Sequence, residues 1–576
     1  MSQNKIKIFS NLMMQFVSEG DPNLICLHHI FRFSLVYLLK NKSAVESYIE
    51  IMQKKGQVDE FLLFNQAEIQ FQVVAEETKE LQQQLGENLK NDLEVLNELD
   101  SCFLIIDFGT GSVKKVKIVS KSNSKGIPNK SEQNSRAFEL IHYEQLFKNY
   151  HNTQMPILNH RFIELRSSYI PAYGTEFQVR KDYIESGFGR AYTDKNAQIL
   201  SSIEAFERYC NIYDRRNRLT VKSSYQNLAL KSEVLNPKQL ILHSEKELIN
   251  PCFSLSPYSP ELEIEWVVGE STTSSGKNKL FVPKNSIVFG ERKENEQSGS
   301  NFVFDTSNGM AIGGSLAEAK LYGLYELIER DAFLSAWYGK AQLNEIKLED
   351  FDLKEFQELK IVLNRKKQEI KLFDITSEVE IPTVWAIIID TSSDAPMKIY
   401  NAAAANLSLK KAVENALFEV CTTFPIYESL LSSTSELSKR RDKVIESSHH
   451  VVEMQDHILY YATEKNIHEF DFILNKPSNV YLQRKIDKLS FSSLEEELHY
   501  VEKQVLGKFQ QIINVDLTPD FLKNEDLYAS RVIVPGMLPM TFGEQYRRID
   551  SQRVKRYLAF HQQTYHGINN APHPFP

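Results

Sequence analysis

The sequence predicts an α+β fold in which hairpins and long helices pack around a large mixed sheet. From about residue 150 onward, strand-like apolar runs alternate with long helical patterns. Ser275 and Gly276 separate two of the strand-like runs, as they would in a β-hairpin. Antiparallel hairpins that alternate with long helices are typical of the α+β class.

The individual elements follow from the local patterns. Residues 1 to about 105 include an amphipathic helical pattern at 67–99 and an apolar run at 102–108, and residues 109–136 are rich in Lys, Ser, Asn and Gly, which predicts a surface hairpin or linker. We therefore divide the chain into region 1–150, whose role the sequence leaves open, and region 151–576. Within the second region we expect strands at 262–271, 279–289, 381–390 and 529–537, helices at 195–213, 316–338, 409–422 and 493–507, and loops at 293–300 and 429–443.

The composition argues against a nucleic-acid-binding, membrane or disulfide-rich protein. The 576 residues include 42% hydrophobic and 25% charged side chains with a formal net charge of −9, which indicates a globular protein without a nucleic-acid surface. No apolar run is long enough to span a bilayer and the N-terminus lacks a signal-peptide pattern, so we expect a cytoplasmic protein without a membrane segment. The five cysteines never form a CxxC pair, which opposes a zinc ribbon and a disulfide framework.

The strongest chemical signal is the pattern Glu-x-x-Glu-Arg, which occurs at 204–208 and again at 326–330 within apolar helical patterns. A helix turns about 100° per residue, so carboxylates three positions apart share one face. The glutamates that share a face are Glu204 and Glu207 on the first helix and Glu318, Glu326 and Glu329 on the second. A solvated helix face with internal salt bridges is one interpretation of this pattern.

Two further observations favour a buried cation site. The glutamates stand among apolar residues, and a carboxylate that is buried needs a cation. Each helix also follows a glycine-containing stretch, 186–190 or 307–315, and a glycine loop ahead of a helix allows backbone N–H groups to approach a phosphate. Two facing carboxylate helices would hold Mg²⁺ against that phosphate, although neither stretch is a Walker P-loop or a GxGxxG motif.

The last six residues, 571–576, carry proline at every second position. Proline fixes φ and donates no backbone hydrogen bond, so this tail is stiff and extended and loses little entropy when it inserts into another surface. A disordered terminus is the alternative.

At these residues the sequence resembles the YcaO family, whose members use ATP to modify peptide backbones. The resemblance covers roughly residues 150–576. The stretches similar to family motifs are 186–209, 307–333, 371–390, 402–420 and 531–543. The terminal Pro-His-Pro-Phe-Pro is similar to the ending of one branch, the azoline-forming cyclodehydratases.

This resemblance implies a YcaO-type domain with mixed sheets and packed helices around a nucleotide site. It implies ATP and Mg²⁺ as cofactors and the cyclodehydration of Cys, Ser or Thr in a precursor peptide through phosphorylation of the backbone amide oxygen. The implied Mg²⁺ and nucleotide ligands are Glu204, Glu207, Glu318, Glu326 and Glu329, and the implied phosphate neighbours are Ser186, Gly187, Gly189, Arg208 and Arg330. The prolines implied to order the catalytic centre are Pro572, Pro574 and Pro576, whose terminal carboxylate is a hypothetical proton acceptor.

Alternatives remain open for the arginines. Arg208 and Arg330 would either hold phosphate or form salt bridges with the neighbouring glutamates. Three weaker candidates for phosphate contacts, for which surface charge is the alternative, are Arg531, Arg547 and Arg548.

The resemblance also implies partners. These are the precursor peptide, a separate protein that binds its leader segment, and an FMN-dependent dehydrogenase where azolines are oxidised, while neither nucleic acid nor membrane is expected and a homodimer is one option. Four positions depart from the family pattern, namely Leu200, Gly314, Asn415 and Thr422. They leave open a YcaO protein that acts as a non-catalytic scaffold, and a thioamide- or amidine-forming enzyme is the other alternative.

Overall fold

The computed structural model describes residues 136–151, 157–180, 183–212, 220–288, 301–304, 306–433, 435–475, 489 and 491–575, together with four strands between residues 25 and 117. The predicted helix at 67–99 and the predicted loop at 293–300 lie outside the described residues. Among the described residues, no helix has the length and apolar character that crossing a membrane requires.

The described strands and helices alternate along the chain. The strands are β1 (Ile25–Ile30), β2 (Phe33–Leu38), β3 (Cys102–Asp107), β4 (Ser112–Lys117), β5 (Arg161–Ile163), β6 (Ala172–Arg180), β7 (Tyr183–Arg190), β8 (Val221–Ser224), β9 (Glu263–Thr273), β10 (Gly276–Pro283), β11 (Met310–Gly313), β12 (Asn344–Ile346), β13 (Gln368–Asp374), β14 (Thr383–Asp390), β15 (Ile399–Ala405), β16 (Ile512–Asp516) and β17 (Tyr528–Ile533). The helices are α1 (Leu146–Tyr150), α2 (Asp194–Ile212), α3 (Tyr225–Leu228), α4 (Glu245–Leu248), α5 (Leu316–Gly339), α6 (Lys354–Arg365), α7 (Leu409–Ser433), α8 (Ser435–Val444), α9 (Met454–Leu459), α10 (Asp471–Leu474), α11 (Leu494–Leu506), α12 (Asp520–Lys523) and α13 (Ser551–Phe560).

The strands form four sheets. The orders are β1-β2-β3-β4, β5-β6-β7, β10-β9-β16-β17-β11 with β8 beside β9, and β12-β13-β14-β15. The α+β class is confirmed, and the predicted hairpin pairs Thr273 of β9 with Gly276 of β10. The sheets differ from the mixed ones that the sequence predicts, because every described strand pair is antiparallel. Consecutive strands joined by short turns, such as β9 and β10, can pair only in this sense, whereas β9 with β16 and β11 with β17 are pairs between strands distant in sequence.

Helix α5 is the central element of the fold. It begins at a cap where the Ser315 hydroxyl accepts a hydrogen bond from the backbone N–H of Glu318 at 3.1 Å. One side packs against β11 and β17, and another packs against β14 and β15. The helix is therefore buried on most sides, and its polar residues lie inside the protein.

Helix α2 lies directly on strand β7 because two glycines leave room for it. A Cβ atom at Gly187 would lie 2.0 Å from the backbone nitrogen of Ala205, and one at Gly189 would lie 2.0 Å from the carbonyl oxygen of Ala197. The prediction that 186–190 is a loop is therefore wrong, because this stretch is the end of a strand. Its glycines allow a helix to contact a strand backbone. Contacts of Ser186, Gly187 and Gly189 with phosphate stay a prediction.

The predicted loop at 429–443 is also wrong. Helix α7 continues through Pro425 to Ser433, and α8 follows at once. The polar residues of α8 face outward, while Val444 is buried and Arg440 forms an ion pair with the buried Asp456 at 2.6 Å. A polar amphipathic helix of this kind has the composition of a loop, and packing of its one apolar side decides between the two.

The residues before α2 belong to the packed body. Tyr143, Leu146 and Tyr150 are buried in the same cluster as Phe206 of α2 and Ile312 of β11. The division of the chain at residue 150 stays a prediction, but the packing of this body includes the chain from residue 136 onward.

A buried ion pair joins α5 to α13. Asp331 is 0% exposed, and its carboxylate accepts hydrogen bonds from the Arg553 guanidinium at 2.9 Å and from the backbone N–H of Leu538 at 2.9 Å. Glu378 also bonds to Arg553. The pair ties the segment after β17 to the helix that carries Glu326 and Glu329.

We expect the substitution Asp331→Ala to destabilise the protein by about 3–5 kcal/mol, since it leaves the Arg553 charge buried and poorly compensated. Denaturant unfolding measures the change in the free energy of unfolding. Arg556→Ala is the matched control, because Arg556 also bonds to Glu378 but is 48% exposed, and it should cost less than about 1 kcal/mol. Equal losses in the two variants would contradict this account.

Candidate active site

Helices α2 and α5 bring four of the predicted glutamates together. Glu204 and Glu207 are on α2, and Glu326 and Glu329 are on α5. Glu326 lies close enough to α2 for its charge to act on both Glu207 and Arg208. Glu326 of α5 therefore lies near the turn of α2 that carries Glu207 and Arg208.

Each helix supplies an arginine that bonds to one of its own glutamates. Nη2 of Arg208 lies 3.3 Å from Oε1 of Glu204, and Nη2 of Arg330 lies 2.7 Å from Oε1 of Glu326. The structure shows the salt-bridge alternative for both arginines. Contacts of these arginines with phosphate stay a prediction.

The turn before α5 adds polar groups to this cluster. The backbone N–H of Gly309 donates to Oε2 of Glu326 at 2.9 Å, and Nη1 of Arg330 donates to Oδ1 of Asn308 at 2.8 Å. Gly309 has φ of +71°, and a Cβ atom there would lie 2.3 Å from the carbonyl oxygen of Val532. Only glycine fits this position, which fixes the turn against the glutamates.

Burial leaves two of the four carboxyl groups with strongly raised pKa values. Desolvation raises the pKa of Glu207 to about 8, with Arg208 opposing the shift and Glu204 and Glu326 adding to it. Desolvation also raises the pKa of Glu329 to about 8. Their own arginines therefore compensate these carboxylates only in part, and a further cation would stabilise their charged forms.

The donor set fits Mg²⁺, which prefers carboxylate oxygens. A divalent ion between the helices would supply the charge that Glu207 and Glu329 lack. In the described part of the chain, no three acidic, histidine or cysteine side chains already converge on one point, so the glutamates would have to turn toward the ion.

We expect the stability of the ligand-free protein to fall as the pH rises through about 8. A carboxyl group whose folded pKa lies above its unfolded value of 4.5 contributes its full stability below that value and loses it as the pH passes the folded pKa. Glu207→Gln removes one such group, so the variant should melt at a higher temperature than the wild type near pH 9 and at the same temperature near pH 4. Parallel melting profiles without Mg²⁺ would contradict the raised pKa.

The fifth predicted glutamate, Glu318, lies apart from this cluster. It is 2% exposed and accepts hydrogen bonds from the backbone N–H groups of Ala137 at 2.8 Å and Gly314 at 2.9 Å. Its other oxygen lies 3.7 Å from Nη1 of Arg136. In the ligand-free protein Glu318 therefore holds the N-terminal segment against the start of α5, and a role in nucleotide or metal binding stays a prediction.

The structure adds three charged residues that the sequence analysis did not select. Arg190 is the last residue of strand β7 and forms an ion pair with Glu419 of α7. Burial lowers the pKa of Arg190, and the charge of Glu204 opposes this shift. The negative charge of Glu185 of β7 helps to raise the pKa of Arg208. Arg190 directly follows the glycines of the first motif, which was the one sequence signal available, whereas Glu185 and Glu419 carry none.

The C-terminal tail is inserted in the protein. Ala571 and Phe575 are buried, and the carbonyl oxygens of 571–574 accept hydrogen bonds from buried side chains. The donors are Trp337 at 3.2 Å, Tyr461 at 2.5 Å, His457 at 2.8 Å and Asn401 at 2.8 Å. Phe575 packs against Phe333 of α5 with ring centroids 4.8 Å apart. Pro572 and Pro574 thus lie beside α5, while Pro576 lies outside the described residues.

The three weaker arginine candidates are all buried, so surface charge is the wrong interpretation. Arg548 donates to the carbonyl oxygens of Ile241 at 2.7 Å and Phe304 at 3.2 Å. Arg547 donates to the carbonyl oxygen of Asn569 at 3.1 Å, ahead of the tail. Arg531 donates to the carbonyl oxygen of Thr306 at 2.7 Å. These guanidinium groups bind backbone carbonyls and thereby fix the loops around the site.

Both glutamate pentapeptides lie in a stretch that matches a known protein family. The model of a family described as YcaO cyclodehydratase, ATP- and Mg²⁺-binding, matches residues 188–538, more than half of the chain. The chain belongs to the YcaO family. The matched stretch contains both pentapeptides and the turn that holds Glu326.

Relatives and solved structures agree with this assignment of the fold. An uncharacterized protein of Methanothermobacter thermautotrophicus is 24% identical over 373 residues, which is 64% of this chain and 84% of that protein. A heterocyclase solved with substrate and cofactor superposes with a TM-score of 0.61 at 16% identity, over 96% of this chain and 77% of the heterocyclase. The YcaO protein of Methanopyrus kandleri, solved with AMPPCP and Mg²⁺, superposes with a TM-score of 0.50 at 18% identity, over 72% and 94% of the two chains.

One departure from the YcaO pattern has a structural explanation. A Cβ atom at Gly314 would lie 2.6 Å from Oη of Tyr143 and 2.8 Å from a ring carbon of Phe138. A larger residue at this position would displace the segment that contains Phe138 and Tyr143. The packing of that segment therefore requires a glycine at position 314. Of the other departures, Asn415 is exposed, and Thr422 is buried on α7 with no hydrogen-bond partner for its hydroxyl among the described residues.

Proposed function

We propose that this YcaO protein catalyses ATP-dependent cyclodehydration of Cys, Ser or Thr residues in a ribosomally made precursor peptide, in the cytoplasm. The observation that carries the proposal is the position of Glu326 of α5, whose charge acts on Glu207 and Arg208 of α2, next to the buried tail that the charge of Arg330 reaches. ATP and Mg²⁺ as its cofactors are supported by the description of the family and by the ligands of the Methanopyrus kandleri protein.

The proposed reaction transfers the amide oxygen of the peptide to the γ-phosphoryl group of ATP. The side-chain sulfur or oxygen of the substrate residue adds to the preceding amide carbon, and its proton passes to a base. The amide oxygen then attacks the γ-phosphorus of ATP and ADP leaves. Cleavage of the carbon–oxygen bond releases inorganic phosphate, and loss of the amide N–H proton leaves a thiazoline or oxazoline. The peptide loses one water, whose oxygen ends in phosphate.

The residues of the site match the needs of this reaction. An amide oxygen is a poor leaving group, so the site must align it with the γ-phosphoryl group and neutralise the developing charge. The four glutamates would hold Mg²⁺, and bound Mg²⁺ would supply positive charge at the phosphate oxygens. Nη2 of Arg208 and Nη2 of Arg330 would exchange their glutamate partners for phosphate oxygens as the ion binds the glutamates, while Nη1 of Arg330 stays bonded to Asn308.

The tail would complete the site. The carbonyl oxygens of Pro572 and Pro574 accept hydrogen bonds from the side chains of Tyr461 and Asn401. These bonds fix the position of the tail up to Pro574. A terminal carboxylate at Pro576 as the proton acceptor remains our proposal. This tail also favours azoline formation over the thioamide or amidine alternative.

We propose further partners for the same reaction. A separate protein would bind the leader segment of the precursor, with region 1–150 as its docking region, and an FMN-dependent dehydrogenase would oxidise azolines. The heterocyclase solved with substrate and cofactor supports a peptide ligand in this fold.

The test is a reaction with a precursor peptide labelled with ¹⁸O at the amide that is cyclised. We expect the peptide to lose the mass of one water per ring, ADP to form, and the label to appear in inorganic phosphate. Unlabelled phosphate with intact peptide would show that the protein hydrolyses ATP without the proposed chemistry.

A scaffold role is the second candidate, and one observation favours it. Glu318 is already occupied by Arg136 and two backbone N–H groups, and Gly314 is covered by the N-terminal segment. A scaffold would bind its partner but neither bind Mg·AMPPCP nor consume ATP. Binding of Mg·AMPPCP by the purified chain separates the two functions.

A further inference from the structure

The tail contains a buried histidine that uses only one of its ring nitrogens. His573 is 1% exposed, and its Nε2 lies 2.8 Å from the carbonyl oxygen of Thr541. A carbonyl oxygen only accepts, so Nε2 carries the proton and Nδ1 is an acceptor in the neutral ring. Within the part of the chain that the structure describes, Nδ1 has no hydrogen-bond partner. A buried acceptor left in this way needs a partner that the described fold does not supply, either a water molecule or a bound group.

The neighbouring histidine shows the contrast. His457 stacks on His573 with ring centroids 4.1 Å apart. Its Nδ1 donates to the carbonyl oxygen of His573 at 2.8 Å, and its Nε2 accepts from the backbone N–H of Gly543 at 2.9 Å. Both nitrogens of His457 are therefore used within the fold, and its ring fixes the orientation of His573. Burial also holds the pKa of His573 well below its ordinary value, so this ring is neutral.

A short chain of bonds connects His573 to the glutamate cluster. Arg330 donates to Asn308 at 2.8 Å, and Nδ2 of Asn308 donates to the carbonyl oxygen of Met540 at 2.8 Å. The next residue, Thr541, holds Nε2 of His573. Nε of Arg330 is also buried without a hydrogen-bond partner among the described residues. An unused donor and an unused acceptor thus belong to one network.

Resting on the proposed function, we propose that Nδ1 of His573 accepts a hydrogen bond from the S–H or O–H group of the substrate residue that cyclises, while Nε of Arg330 donates to the oxygen of the attacked amide. These two substrate groups are close to one another because the sulfur or oxygen and the carbonyl carbon become members of one five-membered ring. A donor and an acceptor fixed in one network can therefore hold both. No bond breaks in this step, and His573 acts by placing the nucleophile against the carbonyl carbon.

The first test needs no variant. The full chain is labelled with ¹⁵N-histidine and titrated, in the presence of Mg·AMPPCP, with the peptide Gly-Gly-Cys-Gly-Gly or with Gly-Gly-Ala-Gly-Gly. We expect the unprotonated Nδ1 resonance of His573 to move upfield with the Cys peptide only, since a donor then reaches it. An unchanged resonance with the Cys peptide, or equal movement with both peptides, would overturn the inference in favour of a water-filled or empty position.

The second test compares variants. His573→Gln keeps a donor for Thr541 but places no acceptor at the δ position, and we expect it to lower the rate of ring formation about tenfold to hundredfold while Mg·AMPPCP still binds. His573→Asn keeps an acceptor near the δ position and should recover part of the rate. An unchanged rate in His573→Gln overturns the inference but leaves the proposed function intact. If the wild type itself forms no ring, the proposed function fails, and the resonance of Nδ1 still decides the role of His573.

Discussion

The substitution Glu329→Gln is expected to lower ATP turnover by about 10²–10³-fold. Glutamine has the shape of glutamate but lacks its negative charge, and Glu329 is the carboxyl group of α5 that no salt bridge among the described residues compensates. If Mg²⁺ is held between α2 and α5, the variant loses a ligand at the point where phosphate charge develops. Phosphate release at saturating Mg·ATP measures the effect.

The matched control for this substitution is Glu502→Gln. Glu502 is also buried at 9% exposure and burial raises its pKa, but it is on α11 beside Lys277 and Lys320. We expect its turnover to equal that of the wild type. A similar loss in both variants would mean that burial of a carboxyl group, and not metal binding, explains the result for Glu329.

Removal of residues 572–576 is expected to abolish ring formation, with a loss of about 10²-fold or more, while Mg·AMPPCP still binds. The deletion removes the acceptors of Tyr461, His457 and Asn401 and uncovers the aromatic side chain of Phe333. The melting temperature should therefore fall as well, because buried donors lose their partners.

A point substitution separates the two effects of that deletion. Phe575→Ala removes the packing against Phe333 but keeps every hydrogen bond of the tail carbonyls, so it should destabilise the protein by about 3–5 kcal/mol and reduce turnover less than the deletion does. If the deletion variant formed rings at the wild-type rate, the tail would have no part in the chemistry.

The sequence was sufficient to predict the parts of the fold in which periodicity and burial agree. The structure places α5 at Leu316–Gly339 and β14 at Thr383–Asp390, close to the predicted 316–338 and 381–390. Both elements are apolar with a clear period, so local pattern and packing favour the same structure. The repeated pentapeptide also predicted two carboxylate-bearing helices, and in the structure the charge of Glu326 of α5 acts on Glu207 of α2.

The errors occurred where contacts between distant segments decide the structure. Stretch 186–190 contains glycines that are common in loops, but α2 packs on it and makes it a strand. Glu318 shares a face with Glu329 by helical spacing, yet two of its partners come from Arg136 and Ala137, about 180 positions earlier. Arg547 and Arg548 have the composition of surface residues, and only the folded chain shows the buried carbonyl oxygens that they bind. A single sequence contains no pattern for such contacts.

If carboxylates from α2 and α5 hold a divalent ion with a nucleotide, calorimetric titration with Mg·AMPPCP near pH 7 should detect both the binding and a release of protons. Glu207 and Glu329 have pKa values of about 8, so both are mostly protonated at that pH and must release protons when the ion binds. We predict proton release that disappears above about pH 9 and is lost with binding in the double variant Glu207→Gln, Glu329→Gln. Binding of equal affinity in the double variant, without proton release in either protein, would contradict the proposed metal site.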